Sequence, residues 1–202
     1  MHWISFGVKI NTHLNVNFLF IDLIFNQKNL FNYMDPLITA NKLVAQYGLL
    51  PHPEGGYYKE NYRSLERISV TALPDRFQED KCLSTAIYFL LEKGNFSAFH
   101  RIKSDECWHF YAGAGLLIYV LFPDGRLEII RLGNNSLNGE QFQAVVPASC
   151  WFASEPAEGS DFSFVGCTVA PGFDFIDFEL AQKELLSEQF PQHRALINRL
   201  IR

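Results

Sequence analysis

His100 and Glu106 stand six residues apart in GNFSAFHRIKSDECWHFYAG, residues 94–113, among aromatic and apolar neighbours. Phe96, Ala98, His100 and Ile102 alternate with Asn95, Ser97, Phe99 and Arg101, the period of a strand. After the polar Lys103-Ser104-Asp105 break, Glu106, Trp108 and Phe110 share one face of a second strand, opposite Cys107, His109 and Tyr111. With the first-named sets turned inward, His100 and Glu106 meet across a hairpin inside an apolar interior. Buried polar groups need partners, so the pair is a structural hydrogen bond or a working site. A carboxylate among Trp108, Phe110 and Trp151 has its pKa raised by burial, and a histidine beside it favours the imidazolium form. Such a dyad abstracts a proton next to a carbonyl, the step of an isomerase or epimerase.

Other residues could serve the same pocket. Tyr58 and Tyr88 are candidates for the opposing acid. In YYKENYR, Glu60 shares a strand face with Tyr58 and Tyr62, which makes it a ligand-binding candidate if that face is inward; an edge strand wet on both faces gives the same pattern. Trp108 and Trp151 are candidate stacking platforms for a sugar or base, and a non-catalytic small-molecule pocket is the alternative reading. His52 and Glu54 in HPEGG either serve a turn or reach the pocket mouth. His2, His13 and His193 read as surface residues.

The elements that would position these groups are mostly strands. Segments at about 68–72, 83–91, 95–102, 106–111, 116–122, 126–132, 142–146, 150–154 and 162–169 are separated by turn chemistry such as Glu92-Lys93-Gly94 and Pro123-Asp124-Gly125. LLIYVLFPDGRLEIIRL is the clearest hairpin. A run of strands with no helix between them predicts an antiparallel double sheet, a jelly roll or barrel. Helices flank it. Asp35-Pro36 is an N-cap and first-turn proline for a helix carrying Leu37, Ala40, Val44 and Tyr47, ended by Gly48. Asp177 is expected to cap a helix with Phe178, Ala181 and Leu185 on one face, and Pro191 to start a last one. Residues 1–33 are rich in Asn and nearly free of Gly and Pro; they read as an extension outside the fold. Residues 34–202, from Met34, then form a single domain.

Composition excludes several classes. The chain has 202 residues, 19 of them Phe, and a net charge of -5. That charge argues against nucleic acid or an anionic membrane surface as partner. The apolar run LNVNFLFIDLIF is too short to span a bilayer and is broken by Asp22. Cys82, Cys107, Cys150 and Cys167 are scattered with no Cys-x-x-Cys pair; they read as buried apolar residues in a reducing compartment, with the cytoplasm as the default location.

At residues 94–113 the sequence resembles the first motif of the cupin superfamily. Gly94, His100, Glu106 and Gly113 match it, and Ile102 replaces its second histidine. The second motif resembles Pro147-Ala148-Ser149-Cys150-Trp151-Phe152, with Ser149 for a glycine and Phe152 for a histidine. HPEGGYYKENYRS, STAIYFLL, FHRIKSDECWHFYAG, VVPASCWFAS and CTVAPGFDFIDFELA, in this order, are similar to the DUF985 (cupin 5 type) family of the RmlC-like cupins, over residues 36–200. The resemblance implies an all-β double-stranded β-helix, the cupin jelly roll, with a pocket between its sheets, commonly paired as a homodimer. Relatives of similar shape include nucleotide-sugar epimerases and isomerases, so the implied ligand is a carbohydrate or nucleotide sugar. Cupins commonly bind a metal, but the motif positions here supply only His100 and Glu106 where a catalytic ion usually has three protein ligands. His109 falls on the opposite strand face, and only a bulge or His52 would complete the set. The expectation is therefore a metal-free site with no cofactor.

Overall fold

The computed structural model describes residues 38–159 and 161–202. The extension read at 1–33, Met34 and the Asp35-Pro36 helix start lie outside them. Helix α1 (Ala40–Tyr47) leads into β1 (Leu50–Pro51), β2 (Tyr57–Arg63), β3 (Arg67–Ile68), β4 (Lys81–Cys82), β5 (Thr85–Glu92) and β6 (Ser97–Arg101). Then come β7 (Asp105–Gly113), β8 (Leu116–Leu121), β9 (Leu127–Leu132), β10 (Gln143–Val146), β11 (Trp151–Pro156), β12 (Phe162–Ala170) and β13 (Glu179–Leu180). Helices α2 (Lys183–Gln189) and α3 (Arg194–Arg199) close the chain. One sheet runs β1-β2-β5-β12-β7-β10 and the other β13-β6-β11-β8-β9, with β3 and β4 as a small separate ribbon. This is the expected all-β jelly roll with flanking helices. Among the described residues no helix is long and apolar enough to cross a membrane.

Period-two patterning sorts the side chains. In β12, Val165 and Cys167 turn into the space between the sheets, where they join Phe89, Trp108, Ile118 and Phe152. Burial of such side chains stabilises by about 1.5–3 kcal/mol each. Exposed pairs such as Arg126–Glu128 at 3.1 Å contribute about 0–1 kcal/mol. The sheets, not surface charge, therefore hold the walls of the interior. On the outside of the five-stranded sheet, Phe99, Trp151 and Leu121 pack with Leu186, Phe190, Ile197 and Leu200 of the C-terminal helices. Helix α1 packs through Leu43 against Leu90, Phe162 and Phe164.

Four local readings are corrected. The α1 N-cap is Thr39, whose hydroxyl accepts from the Lys42 N–H at 3.4 Å. Of the segment 68–72 only Ile68 is strand, the last residue of β3, and Val70–Ala72 is a 3-10 turn. Asp177 starts no helix: it ends a 3-10 turn at Phe175–Asp177 and is buried against Lys81 Nζ at 2.6 Å and Lys103 Nζ at 3.2 Å. Finally, β6 and β7 are not hairpin neighbours but belong to different sheets. The chain crosses between them at Lys103-Ser104, where the Ser104 hydroxyl donates to the Pro171 carbonyl at 2.7 Å.

Candidate functional site

A cavity of about 220 Å³ lies between the sheets. His100 and Glu106 both line it, so the fold does bring them to one space, but from opposite walls. His100 comes from β6, beside Phe152 of β11 and Leu180 of β13. Glu106 comes from β7, beside Val169 of β12 and Val146 of β10. The direct partner of His100 is Glu54, whose Oε2 lies 3.0 Å from His100 Nε2.

The HPEGG segment delivers Glu54. It turns tightly between β1 and β2, with the His52 N–H donating to the Gly56 carbonyl and the Gly55 N–H to the His52 carbonyl, both at 3.0 Å. Gly55 and Gly56 have φ of 117° and 72°, the left-handed region that glycine reaches without strain. A side chain on Gly55 would run into the Phe96 carbonyl oxygen, and one on Gly56 would meet the Leu90 carbonyl oxygen at 2.6 Å. The turn is thus pressed against the body of the sheets. The Glu54 carbonyl accepts from Ala98 N–H at 2.8 Å and from Arg202 Nε at 3.0 Å. Its Oε1 accepts from the Ser97 hydroxyl at 2.9 Å. His52 Nδ1 lies 3.5 Å from Glu54 Oε2, and the His52 ring meets Tyr58 edge-on at 4.6 Å.

Protonation follows from these contacts. The Ala98 carbonyl, 2.7 Å from His100 Nδ1, can only accept, so Nδ1 carries a proton. In the neutral imidazole Nε2 is then an acceptor, and the proton of the Nε2···Oε2 contact sits on Glu54. Burial, then the nearby Glu106 charge, pushes the Glu54 carboxyl well above its usual range, with the Ser97 hydrogen bond opposing. Burial drives His100 down to about 3, the Ala98 carbonyl opposing and His52 adding to the fall. His52 falls to about 4, again by burial. The expectation of an imidazolium is therefore overturned: desolvation exceeds the pull of the carboxyl. Burial pushes Glu106 up to about 7, as expected in direction, with a hydrogen bond from the Cys167 thiol pulling the other way.

The remaining candidates divide. Tyr58 and Glu60 line the cavity. Glu60 sits with Arg63, whose Nε and Nη2 donate to its two carboxylate oxygens at 2.9 and 2.7 Å. Tyr62 leaves that face because the β2–β5 register shifts between Glu60 and Tyr62, and its side chain is exposed. Tyr88 lies outside the cavity, against Tyr47, Phe164 and Tyr111. Trp108 belongs to the packed core, edge-on to Phe89 and Phe152. Trp151 packs under the C-terminal helices, with the Arg101 guanidinium 4.4 Å over its ring. These three aromatics do not line the cavity. Its aromatic walls are Tyr58, Phe89, Phe173, Phe175 and Phe178. His109 lies on the outer face, 3.0 Å from Thr168 Oγ1.

Of the positions that the cupin motif gives to metal ligands, two carry donor side chains here, His100 and Glu106. At the two positions where the cupin motif places further imidazoles stand Ile102 and Phe152, and the Phe152 ring is 4.0 Å from that of His100. His100 Nε2 is engaged by Glu54. Among the described residues no group of three or more His, Cys, Asp or Glu is arranged to hold an ion.

A double-sheet jelly roll with a polar-floored cavity between its sheets is the architecture of a cupin. The sequence model described as Cupin superfamily (DUF985) matches residues 41–181, and the chain belongs to that family. It is similar to the uncharacterized protein YML079W of Saccharomyces cerevisiae, 32% identical over 164 residues, covering 74% of this chain and 79% of that protein. Protein SO0799 from Shewanella oneidensis is 39% identical with a TM-score of 0.74, over 82% of this chain and 99% of that one. A hypothetical protein from Leishmania major is 33% identical with a TM-score of 0.74, over 81% and 99%.

Proposed function

We propose that the cavity binds a small hydroxycarbonyl compound of carbohydrate type and transfers a proton next to its carbonyl, as in an isomerase or epimerase. The observation that carries this reading is the separation of proton-handling groups onto two walls: Glu106 with Cys167 on one, Glu54 with His100 on the other. Two buried carboxyls in one cavity disfavour each other's charge, so they ionise in sequence. Glu106, at about 7, is the first to lose its proton and serves as the base. Glu54, held well above, keeps the proton it shares with His100 and serves as the acid. The substrate C–H bond breaks toward the Glu106 carboxylate, its electron pair moves toward the carbonyl carbon, and the carbonyl oxygen takes the Glu54 proton to give an enediol. Return of the proton from Glu106 to the other carbon, or to the other face, while Glu54 takes back a proton from an enediol hydroxyl, completes the isomerisation with no net change in redox state.

About 220 Å³ falls below the 300–1,000 Å³ of pockets that take drug-sized ligands, so a nucleotide sugar would leave its nucleotide outside. The test is deuterium incorporation. Small ketoses, aldoses and sugar nucleotides are incubated with the protein in heavy water, and exchange at the carbon next to the carbonyl is followed by proton NMR. Exchange that Glu106→Gln abolishes supports the reading. Saturable binding of a sugar without exchange would assign the cavity to a non-catalytic binding module instead.

A further inference from the structure

A second cleft, of about 320 Å³, adjoins the first cavity through Ile102 and Phe178, which line both. Its chemistry differs. Arg76, Arg101, Lys103 and Ser149 line it with Asp177 and Glu179. The two carboxylates are already committed. Asp177 gives one oxygen to buried Lys81 at 2.6 Å and the other to Lys103 at 3.2 Å, so a single negative charge answers two ammonium groups. Glu179 Oε2 takes Arg101 through Nε at 2.7 Å and Nη2 at 2.6 Å. Arg76 has no carboxylate: its Nε donates to the Lys103 carbonyl at 2.6 Å, and both its Nη nitrogens are without an acceptor among the described residues. Arg101 Nη1 is likewise unengaged among them. Arg76, Arg101 and Lys103 of the lining, with Lys81 behind Asp177, thus stand against two lining carboxylates, Asp177 and Glu179, a local positive excess in a chain whose net charge is -5.

The cations are also held in place before any ligand arrives. Arg76 is anchored by a backbone carbonyl, and Arg101 is stacked on Trp151 at 4.4 Å. Preorganised guanidinium forks with an ammonium beside them match the oxygens of a tetrahedral oxyanion. We propose that this cleft binds a phosphate-bearing small molecule, its phosphate held by the free Nη groups of Arg76 and by Lys103, with Arg101 Nη1 and the Ser149 hydroxyl completing the cradle. The assignment is independent of the proton-transfer reading of the first cavity. The two spaces nevertheless share a wall. Phe173, Asp174, Phe175 and Phe178 face the first, and Ile176, Asp177 and Phe178 face the second.

The probe is inorganic phosphate, titrated into the full chain by isothermal calorimetry at constant ionic strength set with chloride. Saturable binding is expected in the wild type. Arg76→Gln and Lys103→Gln should each weaken it about tenfold, the size of one charge-assisted contact. Arg63→Gln, in the lining of the other cavity, should leave it unchanged. Absence of saturable binding in the wild type, undiminished affinity in both cleft variants, or loss in Arg63→Gln instead would overturn the assignment. Arg76 is exposed and makes its hydrogen bond to a backbone atom, so its variant keeps the fold in which the site is tested.

Discussion

His100 Nε2 lies 3.0 Å from Glu54 Oε2 while its Nδ1 lies 2.7 Å from the Ala98 carbonyl, and the second contact fixes the sense of the first. The carbonyl accepts from Nδ1–H, so Glu54 donates to Nε2 as a neutral acid. Glu54→Gln should then be tolerated. The glutamine amide donates to Nε2 in the same sense, and its oxygen still accepts from Ser97. Urea unfolding at neutral pH should place this variant within about 1 kcal/mol of wild type, the scale of a neutral hydrogen bond exchanged for another. A loss of about 3–5 kcal/mol, as when one member of a buried ion pair is removed, would show that the pair is charged. The proposed proton transfer should not survive, because an amide N–H donates a hydrogen bond but is too weak an acid to give up its proton.

Glu106 ties stability to pH. Its folded pKa of about 7 is raised above the ordinary 4.5 by burial, so the folded state holds this proton more tightly than the unfolded chain. Its contribution is fully present below about 4.5 and is lost as pH rises toward 7, a change of about 3 kcal/mol. His52 and His100, both depressed, act with the opposite sign. The folded chain resists their protonation, so their contribution grows as pH rises through the same region and reaches its full value above the ordinary histidine pKa. The wild-type profile mixes these with Glu54, raised like Glu106, and the difference between Glu106→Gln and wild type isolates the Glu106 carboxyl. The variant should gain up to about 3 kcal/mol relative to wild type between pH 4 and pH 8. Denaturant melts across that range check it; a flat difference would mean that Glu106 ionises as freely in the folded protein as in water.

The architecture was legible because period two dominates this chain. The hairpin expected in LLIYVLFPDGRLEIIRL forms as β8 and β9, with the Phe122 N–H donating to the Arg126 carbonyl at 2.9 Å. Glu106 and His100 were legible for the same reason: alternation gives the face of each residue. It does not give which sheet a strand joins, so the break at Lys103-Ser104 read as a hairpin rather than a crossing. Glu54 was harder to assign. It lies in a turn, where no period applies, and the only local signal was the paired glycines after it. Tyr62 was misplaced by a register shift that alternation cannot register, and Trp151 by the helices that cover the outer face of its sheet.

The wall shared by the two cavities depends on a buried charge cluster. Lys81 and Asp177 are both buried, their Nζ and Oδ2 2.6 Å apart. Asp177→Asn leaves the Lys81 ammonium indoors without its counter-charge, and removing one partner of a buried pair costs about 3–5 kcal/mol. Lys81→Met combined with Asp177→Leu should recover most of that loss, since two apolar groups need no partners. Thermal melts of the single and double variants separate the terms. A double variant no more stable than Asp177→Asn would mean that Lys103, 3.2 Å from Oδ1, depends on the carboxylate as strongly as Lys81 does.

Ser149 has φ of 66°, a left-handed conformation that disfavours a β-carbon by about 1–2 kcal/mol. It occupies the turn after Pro147 at the place where the family pattern has glycine. The turn is held by the Ser149 N–H donating to the Ile102 carbonyl at 2.8 Å and the Cys150 N–H to the Pro147 carbonyl at 3.3 Å, and neither bond uses the serine side chain. Ser149→Gly therefore relieves strain without removing a turn contact. Against that gain stands the greater freedom glycine has in the unfolded chain, about 0.5–1 kcal/mol. The balance should be a stabilisation of about 0.5–1 kcal/mol, read as a higher denaturation midpoint with an unchanged slope. If the variant is instead less stable, the serine hydroxyl contributes an interaction worth more than the strain it imposes. The cleft lined by Arg76 and Lys103 is then where that interaction has to be sought.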